Sequence, residues 1–149
     1  MTWTKSSIFL MEFPWTESDK VASRITRKIR RSLRKFPCGF LEDVATHFRV
    51  RIRWDDSGSE ASMYIAPLSE GDWAEIMLSA SLSVGQRWRA FIHELAHHLM
   101  HTWVASIVYS SECVVLLGNP DCAPLRHAIA RRVEVLVIGS KLATPFLVQ

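Results

Sequence analysis

One amphipathic helix in the middle of the chain constrains the fold more than any other feature. Large apolar residues recur at helical spacing between Trp88 and Met100 and predict a wide apolar face. Ser83, followed three residues later by Gln86, is typical of a capping box and predicts where this helix begins. The residues of the apolar face are Trp88, Phe91, Ile92, Leu95, Ala96, Leu99 and Met100. Such a helix must pack into a core, so the rest of the chain has to cover it.

The polar border of this helix carries an HExxH pattern over residues 93–97. Residues four apart share a helix face, so His93 and His97 present two imidazoles side by side. Together they can bind one zinc ion, with Glu94 in reach of a water molecule on that ion. The pattern is short and also occurs by chance, and the competing interpretation is a buried helix with incidental histidines. His101 lies on the same face, whereas His98 points about a quarter turn away.

Length and composition predict a single globular domain over residues 1–149, with 48% hydrophobic residues. No apolar run approaches a membrane span, and the N-terminal stretch lacks a convincing signal-peptide core. Cys38, Cys113 and Cys122 are widely spaced and form no CxxC pair, which disfavours a disulfide framework or a cysteine metal site. We therefore expect a cytoplasmic protein without a membrane partner.

The elements around the central helix predict an α+β fold with a small three-stranded sheet. Alternating apolar and basic residues over 50–54 are typical of a half-buried strand. The other predicted strands cover 63–66 and 74–78, and the flanking helices cover 17–36, 40–48 and about 125–142. Helices at both ends and strands in the middle indicate a sheet packed against the central helix.

The motif and the order of elements resemble the ImmA/IrrE family of zinc metallo-endopeptidases over most of the chain. In that family a strand leads into a helix with the approximate pattern R-F-T-x-A-H-E-x-x-H-x-x-x-H, which residues 86–101 follow. A later helix follows E-x-E-A-x-x-F-A-x-x-L-L-x-P, for which residues 132–145 are a degenerate counterpart. The resemblance implies a zincin-like fold, a Zn²⁺ cofactor, and peptide hydrolysis by a zinc-activated water with Glu94 as general base.

The third zinc ligand is where the chain departs from the family pattern. An ungapped match places the family's ligand glutamate on Arg132, which cannot bind a metal ion, and puts Glu134 on a second acidic position. Glu134 interrupts an apolar run, and a carboxylate carried into a core is costly unless it is paired or metal-bound. We therefore expect His93, His97 and Glu134 to be the ligands.

Other residues compete with Glu134 for this role. His127 lies seven residues earlier on nearly the same helix face. Glu112 and Asp121 are further, less favoured acids. If Glu134 instead forms a structural ion pair with Arg131, the site holds zinc weakly or not at all.

The resemblance also implies a protein substrate, namely a transcriptional repressor or antitoxin-like regulator of the kind linked to prophages and mobile elements. An extended peptide would add to an edge strand, and the strand containing Ile76 is the candidate by its position before the motif. The alternative function is that of a non-catalytic protein of the same fold, which binds a repressor or DNA. The departure at Arg132 keeps this alternative open.

The first predicted helix carries a run of basic residues. Eight of the 18 lysines and arginines, and no acid, lie between Lys20 and Lys35. Such a run can contact phosphates. However, apolar residues recur beneath it and the net charge is only +3, which favours a solvated helix face or an acidic protein partner over nucleic acid. The apolar residues are Val21, Ile25, Ile29 and Leu33.

Overall fold

Four helices and three strands form an α+β fold in the part of the chain that the structure describes. The structure is a computed structural model and describes residues 15–36, 39–69, 71–103 and 122–139. Its elements are α1 (Trp15–Lys35), α2 (Leu41–His47), β1 (Val50–Asp55), β2 (Met63–Ile65), β3 (Ala74–Ser79), α3 (Val84–Thr102) and α4 (Ala123–Ile138). The predicted α+β class with a three-stranded sheet is therefore confirmed. The expected end of the last helix, at residue 142, lies outside the described residues, as do Cys38 and Cys113. Within the described residues, no helix is long and apolar enough to cross a membrane.

The sheet is mixed and has the order β1-β3-β2. β1 pairs with β3 in parallel, from Val50 beside Ala74 to Asp55 beside Ser79. β2 pairs with the other side of β3 in antiparallel fashion, with Met63 beside Met77. Every second side chain of β3 from Ala74 to Leu78 is buried, as expected for a strand with one face in the core.

The prediction that the strand containing Ile76 lies at the sheet edge is wrong. Ile76 is paired with Ile52 on one side and with Tyr64 on the other, so β3 is the central strand. The chain forms β1, crosses to the far edge to form β2, and returns to the middle for β3. Among the described residues the two outer strands are therefore β1 and β2, and a peptide that adds to this sheet would pair with one of them.

The helix α3 is anchored at its start and along its length. The Ser83 hydroxyl accepts a hydrogen bond from the Gln86 amide at 3.3 Å, and the Gln86 side chain accepts one from the Ser83 amide at 3.1 Å. This is the capping box predicted from the sequence. The apolar face is buried as predicted, with Phe91, Leu95 and Leu99 fully inaccessible. α3 contacts β2 and β3 as well as α4, so its rotation about its own axis is set from both sides.

The helix α4 is held in place by α1. The two helices pack along much of their length, and the Arg30 guanidinium of α1 donates a hydrogen bond to the Leu136 carbonyl of α4 at 2.9 Å. The apolar residues of α1 are buried, while Arg27, Arg31 and Arg34 are exposed, which agrees with the predicted solvated face. α1 thereby positions α4 against α3.

We predict that Leu99→Ala lowers the free energy of unfolding by about 2–5 kcal/mol, because it removes a fully buried side chain and leaves a cavity between α3 and its neighbours. The matched control is Leu68→Ala, since Leu68 is 98% exposed and its truncation should change stability by less than about 0.5 kcal/mol. Urea unfolding of the three proteins measures both values. Equal stability of the two variants would contradict the assigned core.

Candidate metal centre

Three histidines meet where α3 and α4 pack side by side. One ring nitrogen from each of His93, His97 and His127 lies within 4.8 Å of the other two. His93 and His97 are one helical turn apart on α3, and their Nε2 atoms are separated by 3.2 Å. The His127 ring of α4 has its centroid 5.7 Å from that of His93 and 4.9 Å from that of His97. The three side chains are therefore close enough to hold a metal ion.

The spacing of the two α3 nitrogens fits zinc. Ligand nitrogens ~2.0–2.1 Å from a tetrahedral zinc ion lie ~3.3 Å from each other. The Nε2 atoms of His93 and His97 are 3.2 Å apart. The His127 nitrogen lies within 4.8 Å of the other two, and its ring is exposed.

Glu134 contacts the opposite side of the His93 ring. Its Oε2 atom lies 2.7 Å from His93 Nδ1, so the Nδ1–H group donates to the carboxylate. In a neutral imidazole this leaves the lone pair on Nε2, the atom that faces His97. Carboxylates commonly orient metal-binding histidines in this way and increase their basicity. The expected ligand Glu134 is thus at the site, but the group with metal-ligand spacing contains His127 in its place.

The arginines that follow His127 on α4 do not share this contact. Arg132, at the family's ligand position, lies with its Nε atom 3.5 Å from Asp19 Oδ1 of α1. Among the described residues Glu134 is ion-paired with His93 and not with Arg131, so the structural salt-bridge alternative is not what the structure shows. The other candidate acids, at positions 112 and 121, lie outside the described residues.

Glu94 is buried next to the histidines, and one of its oxygens lacks a partner. Its side chain is buried, and Oε2 has no hydrogen-bond partner among the described residues. Burial raises the pKa of Glu94; His93 partly opposes the rise and Glu134 adds to it. A buried carboxylate oxygen without a partner is costly, and such atoms are expected where a ligand or a reacting group belongs. The sequence predicted this residue as the general base beside the metal.

Two of the three histidines, His97 and His127, are held in their neutral form. Burial lowers the pKa of His97 to about 4, and the neighbouring His93, His127 and Arg126 act in the same direction. Burial likewise lowers the pKa of His127, with further contributions from His93 and two arginines of α4. A neutral imidazole is the form that binds a metal ion. The site therefore does not have to release protons from these two rings before a metal binds.

His98 belongs to a separate hydrogen-bond network on another face of α3. Its Nε2 lies 3.1 Å from the Phe48 carbonyl and its Nδ1 lies 2.8 Å from the Tyr64 hydroxyl. One tautomer satisfies both contacts, with Nε2–H donating to the carbonyl and Nδ1 accepting from Tyr64. Burial lowers the pKa of His98 to about 4, which keeps this tautomer neutral. His98 is therefore a structural residue that ties α3 to β2 and to the end of α2.

Tyr64 is a site neighbour that the sequence did not single out. Its ring also lies beside the exposed His101, at a centroid distance of 6.3 Å. His101 shares a helix face with His97, so Tyr64 brings β2 close to the histidine side of α3. A tyrosine in a short strand carries no sequence signal for this contact, because the pairing partner is 34 residues away.

We predict that Tyr64→Phe lowers the free energy of unfolding by about 0.5–1.5 kcal/mol, because the buried Nδ1 of His98 loses the hydrogen bond donated by the Tyr64 hydroxyl. The double variant with His98→Leu supplies the control. In that background the Tyr64→Phe cost should shrink, since its partner is already gone. Chemical denaturation measures the cycle, and additive costs would contradict the assigned bond.

Comparison of the chain with models of known protein families, with curated proteins and with solved structures gives no match. The features of the chain that bear on its function are the motif at residues 93–97 and the geometry that surrounds it.

Proposed function

We propose that the protein is a zinc-dependent endopeptidase with a zincin-like fold, related to the ImmA/IrrE enzymes that its motif resembles. The observation that carries the proposal is the convergence of three imidazoles beside a buried glutamate with an unpartnered oxygen. Incidental histidines on a packed helix do not explain that combination, because a second helix supplies both the third ring and the carboxylate behind His93.

His93, His97 and His127 are the proposed ligands, and Glu134 acts through His93. Imidazole nitrogen suits Zn²⁺, and three protein ligands leave one position open, as in catalytic rather than structural zinc sites. Glu134 keeps the Nε2 lone pair of His93 directed at the site. When bound, the zinc ion would supply Lewis acidity, which polarises a peptide carbonyl and makes water a stronger nucleophile near neutral pH.

Glu94 is the proposed general base. Its free Oε2 atom takes a proton from the attacking water and then delivers it to the nitrogen of the leaving amine. The burial that raises its pKa brings the carboxylate nearer to the operating pH, where proton transfer in both directions is efficient. The low exposure of Glu94 also limits competition from bulk water.

The proposed substrate is a transcriptional repressor or antitoxin-like regulator in the cytoplasm, which rests on the resemblance of residues 86–101. An extended segment of it would add to β2 rather than to β3. Among the described residues no strand pairs with the outer edge of β2, and the Tyr64 ring of β2 lies beside His101, which shares a helix face with His97, so an added strand would run along that face of α3.

We predict that the purified protein binds one equivalent of zinc and that three alanine variants differ in their zinc affinity in a defined order. His127→Ala should weaken binding most, because it removes a ligand. Glu134→Ala should weaken it about 10–100-fold, because it removes the partner that orients His93. His101→Ala is the control and should leave affinity unchanged, since His101 is outside the group. Competition with a chromophoric chelator measures each constant.

The same series decides between His127 and Glu134. A larger loss from Glu134→Ala than from His127→Ala would establish Glu134 as the third ligand, as first expected from the sequence. A protein that binds no metal but still captures its partner would support the non-catalytic regulator instead.

We predict that Glu94→Gln reduces cleavage by about 10²–10⁴-fold while zinc content is retained, because the residue moves a proton and does not bind the metal. Affinity capture with this variant should trap the substrate, which the wild-type protein then cleaves. Glu60→Gln, at an exposed position, is the matched control and should behave as wild type. Cleavage by Glu94→Gln at the wild-type rate would remove Glu94 from the mechanism.

A further inference from the structure

A cleft of about 580 Å³ opens beside the histidine group, between α3 and the C-terminal half of α4. We call it the arginine cleft. Its lining residues are Arg89, Arg131, Glu134, Val135, Ile138 and Gly139. Glu134 belongs both to this cleft and to the contact with His93, so the cleft begins where the histidine group ends.

Helical spacing fixes the two arginines relative to the site. Arg89 lies four residues before His93 on α3, and Arg131 lies four residues after His127 on α4. Residues four apart share a helix face, so each helix presents one histidine and one arginine toward the same side. A ligand that reaches past His93 and His127 therefore meets both guanidinium groups.

The described residues do not balance the two positive charges of the cleft. Arg89 and Arg131 are exposed, and neither has a hydrogen-bond or ion-pair partner among the described residues. The one carboxylate of the cleft, Glu134, is occupied by His93. Arg132, the neighbour of Arg131, differs because it is paired with Asp19 on the α1 side. The arginine cleft is thus a concave surface with two guanidinium groups that have no partner among the described residues, and with one carboxylate, Glu134, that is hydrogen-bonded to His93.

We propose that the arginine cleft is a specificity subsite that binds a carboxylate of the peptide substrate next to the bond that is cut. That the ligand is a peptide rests on the proposed endopeptidase function. That it carries a carboxylate rests on the cleft, because guanidinium groups bind carboxylates through paired, charge-assisted hydrogen bonds.

The apolar wall of the cleft suits the rest of such a ligand. Val135 is 63% exposed although it is a large hydrophobic residue, and it lines the cleft together with Ile138. The methylene groups of a glutamate side chain can cover this surface while its carboxylate reaches the arginines. The C-terminal carboxylate of a peptide offers the same charge, and the two sources are distinguished by experiment.

The test is capture of defined peptides by the full chain carrying Glu94→Gln, which keeps them from being cleaved. Three pools of acetylated random hexapeptides differ only in a central Glu with an amidated end, a central Gln with an amidated end, or a central Gln with a free C-terminal carboxylate. The Glu pool should be enriched about 10-fold over the amidated Gln pool, as expected for a charge-assisted hydrogen bond. Enrichment of the free-carboxylate pool in its place would identify a chain end as the carboxylate source.

Matched variants assign the preference to the cleft. In the Arg89→Gln, Arg131→Gln double variant the enrichment should fall to within about twofold, and Arg131→Glu should shift the preference to a central Lys. Arg132→Gln should retain the full enrichment, because Arg132 faces Asp19 and does not line the cleft. Measurements repeated in a chelator exclude carboxylate binding to a metal, and thermal unfolding confirms that each variant is folded.

The outcomes separate the two proposals. Equal capture of all pools, or an enrichment that persists in the double variant, would overturn the assignment of the cleft. Arginine-dependent capture of acidic peptides by a protein that never cleaves them would support the cleft and overturn the endopeptidase. Cleavage without any preference for acidic peptides would support the endopeptidase and overturn the assignment of the cleft.

Discussion

The hydrogen bond between His93 Nδ1 and Glu134 Oε2, at 2.7 Å, is the interaction on which the arrangement of the site depends. It joins the two helices that carry the histidines and selects the imidazole tautomer of His93. It also occupies the Glu134 carboxylate, which is the one acid among the described residues that line the arginine cleft. α4 is in position to make this contact because α1 holds it, through apolar packing and the bond from Arg30 to the Leu136 carbonyl. The helix α1, which is far from the motif in sequence, thus helps to position His127 and Glu134 of α4 beside the histidines of the motif.

The electrostatics of the site combine two opposing sets of groups. Arg126 and Arg131 lie close enough to lower the pKa of His127, which keeps the ring neutral but also repels a cation. The carboxylates of Glu94 and Glu134 supply compensating negative charge within the same group of residues. The acids and the neutral His97 and His127 rings therefore favour a divalent ion, while the positive charge of the arginines opposes it.

The local features of the fold were readable from the sequence, whereas the features that depend on packing were not. The capping box at Ser83 and the buried face of α3 follow from spacing within a few residues, and the structure shows both. The alternation of β1 is shown in part, since Val50 is buried and Ile52 half-buried but Trp54 is exposed. The central position of β3 does not follow from its own sequence, because strand order depends on where a three-residue β2 finds its partner. Likewise, the face shared by His127 and Glu134 was foreseeable from their spacing. Which of them has metal-ligand spacing to the α3 histidines depends on the register between α3 and α4, and α1 contributes to the position of α4 by packing against it.

The strand order β1-β3-β2 has a consequence for the synthesis of the chain. β1 and β2 emerge first, but they are not neighbours in the sheet and cannot form a hairpin with each other. The sheet can form only after Ala74–Ser79 has left the ribosome, since both outer strands pair with that segment. The helix with the motif follows at once, yet its histidines meet His127 and Glu134 only when α4 has emerged. Nonlocal pairing of this kind slows folding, so the two outer strands stay unpaired until β3 has been made, and the histidine group stays incomplete until α4 has been made.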